Sequence, residues 1–128
     1  MLETAVMCLA MNMYFEARDQ GEEGMMAIAE VTLNRVESSE FPDNVCDVVW
    51  QHKQFSWTHD GKSDKMKNKK YADMTYEMAV DYMTGLETDI TKGALYYHAD
   101  YVKPYWSKRT EPVAVLGDHI FYKNIPKK

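Results

Sequence analysis

Leu2, Val6, Leu9 and Met13 recur at spacings of four, three and four, the mark of one buried helical face. The next beat, three residues on, falls on Glu16, where another Leu or Met would continue the stripe. A helix is therefore predicted over residues 2–18, with a carboxyl delivered at the end of its apolar face. Asp19-Gln20-Gly21 breaks it, Gly21 being suited to a left-handed cap. Glu22 and Glu23 then fall in the first turn of a second helix, where the macrodipole favours acids. From Met25 to Val36 that helix is apolar nearly all round, as a central helix would be. Its polar members, Glu30, Asn34 and Arg35, are read as structural hydrogen-bonding and ion-pairing groups, since buried polar atoms need partners. Pro42 can open a third, short helix with Val45, Val48 and Val49 on its apolar side and Trp50 at its end. Met74, Met78 and Tyr82, four apart, mark a fourth helix between Tyr71 and Gly85.

The last third changes character. Residues 93–99 (GALYYHA), 111–117 (EPVAVLG) and 119–124 (HIFYKN) are rich in β-branched and aromatic residues and are predicted strands. The last two join through Leu116-Gly117-Asp118 as a tight hairpin, and Tyr101 to Trp106, with Pro104, forms an aromatic loop. The expected fold class is α+β, a mainly helical body with a small antiparallel sheet near the C-terminus. With 128 residues and no repeat or linker, residues 1–128 are expected to form a single domain.

Composition narrows the function. A net charge of −5 leaves no basic face for general nucleic-acid binding. No apolar run approaches the ~20 residues of a membrane span. No charged n-region precedes the first stripe, so no secretory signal is expected, and the protein either works in the cytoplasm or is carried out by something else. Cys8 and Cys46 sit in apolar stretches and match neither a zinc spacing nor a dense disulfide framework. Two buried thiols are the expected state, a single disulfide the alternative.

Glu16 is the candidate for chemistry. A carboxyl held among apolar groups is disfavoured in its charged form, which moves its pKa toward that of a general acid. Tyr14 and Phe15 add aromatic surface beside it, Tyr14 as a candidate substrate contact. The competing reading is a helix-end Glu that turns to water or pairs with Arg18 or Arg35. Residues 51–61 have no clean period and form a loop that interleaves Phe55 and Trp57 with His, Gln and Ser side chains. That mixture suits a sugar-binding wall and equally suits a loop pinned to the core by its aromatics. The five lysines of residues 62–70 read as a solvated loop, with weak attraction to an anionic polymer as the alternative. A metal site built on His98 and His119 lacks any supporting spacing, so no metal or cofactor is expected.

Four blocks, read together, resemble the SleB-type cell-wall hydrolases, the family of spore-cortex lytic enzymes that also occurs in phage lysis proteins. They are YFEAR with AIAEVTLNRV, FPDNVCDVVWQHKQFSW, GALYYHA and LGDHIFY, and they cover nearly the whole chain. The resemblance implies a lysozyme-like core that cleaves peptidoglycan glycan strands between N-acetylmuramic acid and N-acetylglucosamine. It implies Glu16 as the catalytic acid, with Gln54, Phe55, Ser56, Tyr97, His98 and His119 as substrate-contacting positions. The family's Gly after Glu-Ala-Arg is Asp19 here. If the helix continued, Asp19 would share a face with Glu16, raise its pKa further and offer a second carboxylate.

On this reading the chain is a lytic transglycosylase in which one acid serves both steps, without metal. Its partner is peptidoglycan, the expected state is a monomer, and a phage endolysin released from the host cytoplasm fits the missing secretory signal. A hydrolytic muramidase would want a second carboxylate, for which Asp19, Asp60 and Asp64 are candidates. A non-catalytic glycan-binding or virion protein is the alternative outside enzymes.

Overall fold

The computed structural model describes residues 2–51 and 55–126, with the side chains of residues 2 and 56 set aside. Helix α1 spans Leu2–Ala17, α2 Gly21–Glu37, α3 Val45–Val49 and α4 Lys69–Met83. Short 3-10 turns cover Arg18–Gln20, Ser56–His59 and Ser107–Arg109. Strands β1 (Tyr96–Ala99), β2 (Ala114–Leu116) and β3 (His119–Tyr122) form one antiparallel sheet in the order β1-β3-β2. The body is helical and the small sheet lies near the C-terminus, as the apolar pattern implied. None of the described helices is long and apolar enough to cross a membrane.

The stripe on α1 is buried where it is described, at Val6, Leu9 and Met13, but Ala10, Asn12, Tyr14 and Ala17 are buried too. Helix α1 packs on α2, α3 and α4, so it shares the central position expected of α2 alone. Asn12 is accommodated because its amide donates to Thr32 Oγ1 (3.0 Å) and accepts from the Trp57 indole (2.8 Å).

Cys8 and Cys46 are joined in a disulfide, not held as the two thiols expected from their apolar surroundings. Packing of α3 on α1 brings their Cα atoms to 5.3 Å, within bonding reach although 38 residues separate them. Helix α3 begins at Val45 rather than at Pro42, because Asn44 supplies the cap by accepting from the Asp47 amide at 2.9 Å. Helix α4 likewise starts ahead of Tyr71, where Asn68 caps the first turn and Lys69 pairs with Asp73. Its buried line is Thr75, Ala79 and Tyr82, with Met74 and Met78 only partly covered.

The polar residues of α2 connect the helical body to the sheet. Buried Glu30 accepts from Thr88 Oγ1 (2.5 Å), Ile90 N (2.9 Å), Thr91 N (2.9 Å) and Thr91 Oγ1 (2.7 Å). Asn34 donates to the Ala94 carbonyl at 2.9 Å and Arg35 Nε to that of Leu95 at 2.7 Å. The hydrogen-bonding part of the reading holds, with loop residues as the partners, but no ion pair of this trio is found among the described residues. The loop they grip leads directly into β1, so α2 sets where β1 begins.

Reducing the disulfide, or replacing both cysteines with Ala, should lower unfolding stability by about 3 to 4 kcal/mol, the chain-entropy value for a loop of this size. Guanidinium melts with and without reductant measure it, and an unchanged midpoint would mean that packing of α3 on α1 suffices.

Candidate active site

Glu16 lies in the last turn of α1, immediately before the chain tightens into the 3-10 turn Arg18–Gln20. Gly21 ends that turn at φ 78°, a value open to Gly, and opens α2 rather than capping α1 directly. The turn carries Arg18 and Asp19 outward while Glu16 stays half-buried. Strand β1 meets it from the other side, and the Tyr97 hydroxyl donates a hydrogen bond to Glu16 Oε1.

Tyr97 is held by rings of its own face of the sheet. Phe121 stacks on it with centroids 5.6 Å apart, and His119 meets it edge-on at 5.2 Å. Behind it lies fully buried Phe55, whose other neighbour is the Arg35 guanidinium, 5.1 Å from the ring centroid. Arg35 is also 4.8 Å from the Phe41 ring, and its Nη1 has no hydrogen-bond partner among the described residues.

Burial pushes the Glu16 carboxyl above its ordinary range, while the Tyr97 hydrogen bond and the Arg35 charge pull partly back. Tyr97 is raised well above the usual phenol value, first by burial and then by the adjacent Glu16, so its hydroxyl remains a donor. Burial lowers Arg35, and it lowers His119, which Asp118, Asp19 and Asp100 pull back up. Helix α1 ends at Ala17, and Asp19, exposed on the 3-10 turn that follows, is not among the groups that shift Glu16. Burial, and not Asp19, carries the Glu16 shift.

Glu16, Tyr97 and His119 line one cavity of about 440 Å³, together with Phe15, Asp19, Gln20, Asp118 and the segment from Ala99 to Val102. Its lip is a side-chain clamp. Gln20 Oε1 accepts from the Asp118 amide (3.2 Å) and its Nε2 donates to Asp118 Oδ2 (3.3 Å). Gly117 turns at φ 56°, a left-handed value that favours glycine, and a side chain there would displace Gln20 Oε1, 2.9 Å away. A second cavity of about 480 Å³ lies between α2 and the end of α4. Its buried acid, Glu30, is saturated by the loop bonds described above and has a structural role.

The other expected contacts fall elsewhere. Tyr14 is buried and its hydroxyl accepts from the Asn68 amide at 2.9 Å, while Arg18 sits over its ring and not against Glu16. Phe55 supports Tyr97 from behind. Gln54 lies outside the described residues, and Ser56 opens a 3-10 turn with its side chain also outside them. His98 alternates with Tyr97 and therefore faces the opposite side of the sheet, touching Tyr122 OH at 2.8 Å and the Trp106 ring. His98 and His119 thus do not converge, and among the described residues no cluster of three His, Cys, Asp or Glu side chains could hold a metal ion. Gln20, Asp118 and Tyr101 are the site residues that sequence reasoning passed over, while Arg35, one of the two arginines expected near Glu16, does act on its charge. Period-two alternation from Tyr97 would have reached Tyr101.

A helical body that presents one half-buried acid at the edge of a three-stranded sheet is the lysozyme-like arrangement. The model of the cell wall hydrolase family matches residues 19–122, and the chain belongs to that family. Glu16 lies just ahead of the matched segment. The spore cortex-lytic enzyme of Oceanobacillus iheyensis is 33% identical over 119 residues, covering 92% of this chain. That of Bacillus subtilis is 33% identical over 114 residues, 88% of this chain. The chain spans 41% and 35% of the lengths of these two relatives. Among solved structures, the catalytic domain of the germination-specific lytic transglycosylase SleB from Bacillus anthracis superposes with a TM-score of 0.74. It is 29% identical, and the match covers 93% of both chains. The catalytic domain of Bacillus cereus SleB gives a TM-score of 0.70 at 28% identity, covering 92% of this chain and 89% of that one.

Two outcomes follow. Since the native state holds the Glu16 proton better than the unfolded chain, its stabilising effect is complete below the ordinary carboxylate range and lost as pH rises through the raised value. Glu16→Gln should therefore melt at or above the parent temperature at neutral pH and converge with it in acid. A clear loss of stability at neutral pH would mean that the carboxylate is native-stabilising. Tyr97→Phe removes a bond that lowers the Glu16 pKa, so the alkaline limb of the pH–rate profile should move to higher pH. An unmoved limb would disconnect Tyr97 from Glu16.

Proposed function

We propose that residues 1–128 act as one catalytic domain that cleaves the peptidoglycan glycan strand between N-acetylmuramic acid and N-acetylglucosamine, as a lytic transglycosylase. The observation that carries this is the half-buried Glu16 in its cavity, raised above the ordinary carboxylate range and hydrogen-bonded by Tyr97. Further support comes from the likeness to a lytic transglycosylase catalytic domain over 93% of this chain.

Protonated Glu16 donates to the bridging oxygen as the muramic C1–O bond breaks and positive charge develops at C1. Glu16 is then a carboxylate, stabilised by the Tyr97 hydroxyl and by the charge of Arg35. The muramic C6 hydroxyl attacks C1 and returns its proton to Glu16, closing a 1,6-anhydro ring. One bond breaks, one forms, no water is consumed and the acid is regenerated. A single carboxyl suffices.

Hydrolysis with a second carboxylate is the other reading, and one observation favours it: Asp19 lines the same cavity. Asp60 and Asp64, by contrast, are exposed and do not line it. The role of a phage endolysin, held in the host cytoplasm until the membrane opens, belongs to the same proposal, and its support is the resemblance to phage lysis proteins. Cytoplasmic expression with and without a membrane-permeabilising protein tests it, since lysis should require both.

Mass spectrometry of the fragments released from purified peptidoglycan decides the chemistry. Products one water lighter than muramidase products are expected, with release by Glu16→Gln reduced roughly 10²-fold or more, the scale of a lost general acid. Hydrated reducing ends would establish hydrolysis and turn attention to Asp19. Full activity in Glu16→Gln would remove Glu16 from the mechanism.

A further inference from the structure

Tyr97, Ala99 and Tyr101 lie two residues apart along β1 and the turn that follows, and all three line the cavity that holds Glu16. They differ sharply in use. Tyr97 is committed to Glu16, Ala99 leaves a gap, and Tyr101 is 83% exposed, the most exposed of the large hydrophobic side chains described. Its backbone is not loose. Val102 N bonds the Ala99 carbonyl (3.0 Å), and Asp100 N bonds that of Asp118 (2.8 Å), so the turn is tied to both edges of the cavity. Trp106, at the end of the aromatic loop, packs on the far face, where it lies 4.8 Å from the Tyr122 ring, edge-on. Tyr101 makes no ring contact among those described, and Val102 beside it is also exposed.

A bare aromatic side chain on an anchored turn, lining the cavity that holds Glu16, is a place for an apolar face to land. The charge around it narrows the occupant. Asp19 and Asp118 line the same cavity, and Asp100 is the residue before Tyr101. Carboxylates so placed oppose phosphate or carboxylate ligands and leave a neutral ring as the fitting partner. We propose that Tyr101, with Val102, is a sugar-stacking subsite that binds the C–H face of a neutral N-acetylhexosamine ring next to the bond Glu16 cleaves. This rests on the glycan-cleaving role proposed above and adds a binding residue to it. Ala99 keeps the trough between Tyr97 and Tyr101 open for the ring.

The test uses Glu16→Gln protein, so that binding is read without cleavage, and an uncharged oligomer of β-1,4-linked N-acetylglucosamine as the probe, followed by calorimetry. Adding Tyr101→Ala should raise Kd by about tenfold or more, the scale of one lost aromatic face, while Tyr101→Trp stays within a few fold of the Glu16→Gln parent. In the active protein, Tyr101→Ala should raise KM on peptidoglycan with kcat changed less than about twofold, the mark of lost ground-state binding. Equal oligomer affinity with Tyr or Ala at this position would overturn the subsite, as would a fall in kcat at unchanged KM. If the chain binds the oligomer through Tyr101 yet releases no fragments from peptidoglycan, the subsite stands and the cleavage reading fails.

Discussion

The hydrogen bond from Tyr97 to Glu16 is the contact on which the site depends, because it joins the two halves of the molecule at the proposed catalytic carboxyl. Glu16 belongs to α1 and Tyr97 to β1, 81 residues later in the chain. Nothing in either element alone sets their separation. It is set by α2, whose Glu30, Asn34 and Arg35 hold successive points of the segment that leads into β1. These buried polar groups are costly unless satisfied, and the loop satisfies them only in one register. The polar face of a central helix thus acts as the ruler that places a tyrosine against an acid.

Electrostatics in this region pull in two directions. Removing Glu16 from water favours the protonated acid that a first proton transfer needs. Tyr97 and Arg35 favour the carboxylate that remains afterwards. Burial is the largest influence and moves the carboxyl toward the acid form, while Tyr97 and Arg35 are already in place beside it. Arg35 itself is buried against Phe41, Phe55 and Tyr96, with its Nε held by Leu95 and its Nη1 unpaired among the described residues. Its charge is therefore not cancelled by a dedicated partner and is felt at Glu16. The disulfide between α1 and α3 secures the same helix from its other end.

Apolar periodicity was enough to locate the helices, because each buries one face, and β-branched and aromatic richness located the strands. The single interruption of the α1 stripe, at Glu16, was the clearest chemical signal. Boundaries were less legible where a cap decides them, as at Asn44 and Asn68, whose side chains start α3 and α4 away from the positions that Pro42 and Tyr71 suggested. The disulfide was not legible, since only the packing of α3 on α1 brings Cys8 and Cys46 together. Motif membership did not distinguish Tyr97 from His98. The strand alternation sends one to Glu16 and the other to Tyr122, and Tyr14 and Phe55 turned inward for packing. Gln20 and Asp118 meet only because the hairpin tip folds onto the α1–α2 turn, a contact across 98 residues.

The central claim is that burial holds the Glu16 carboxyl above the range of ordinary carboxylates. An NMR titration of the side-chain carboxyl carbons, with Glu16→Gln used to assign the signal, measures this directly. The account predicts that the Glu16 signal titrates clearly above the ordinary value of about 4.3 for a glutamate, and above the exposed acids of the same molecule. A Glu16 midpoint at or below theirs would contradict it, since the acid would then be spent before reaching its substrate.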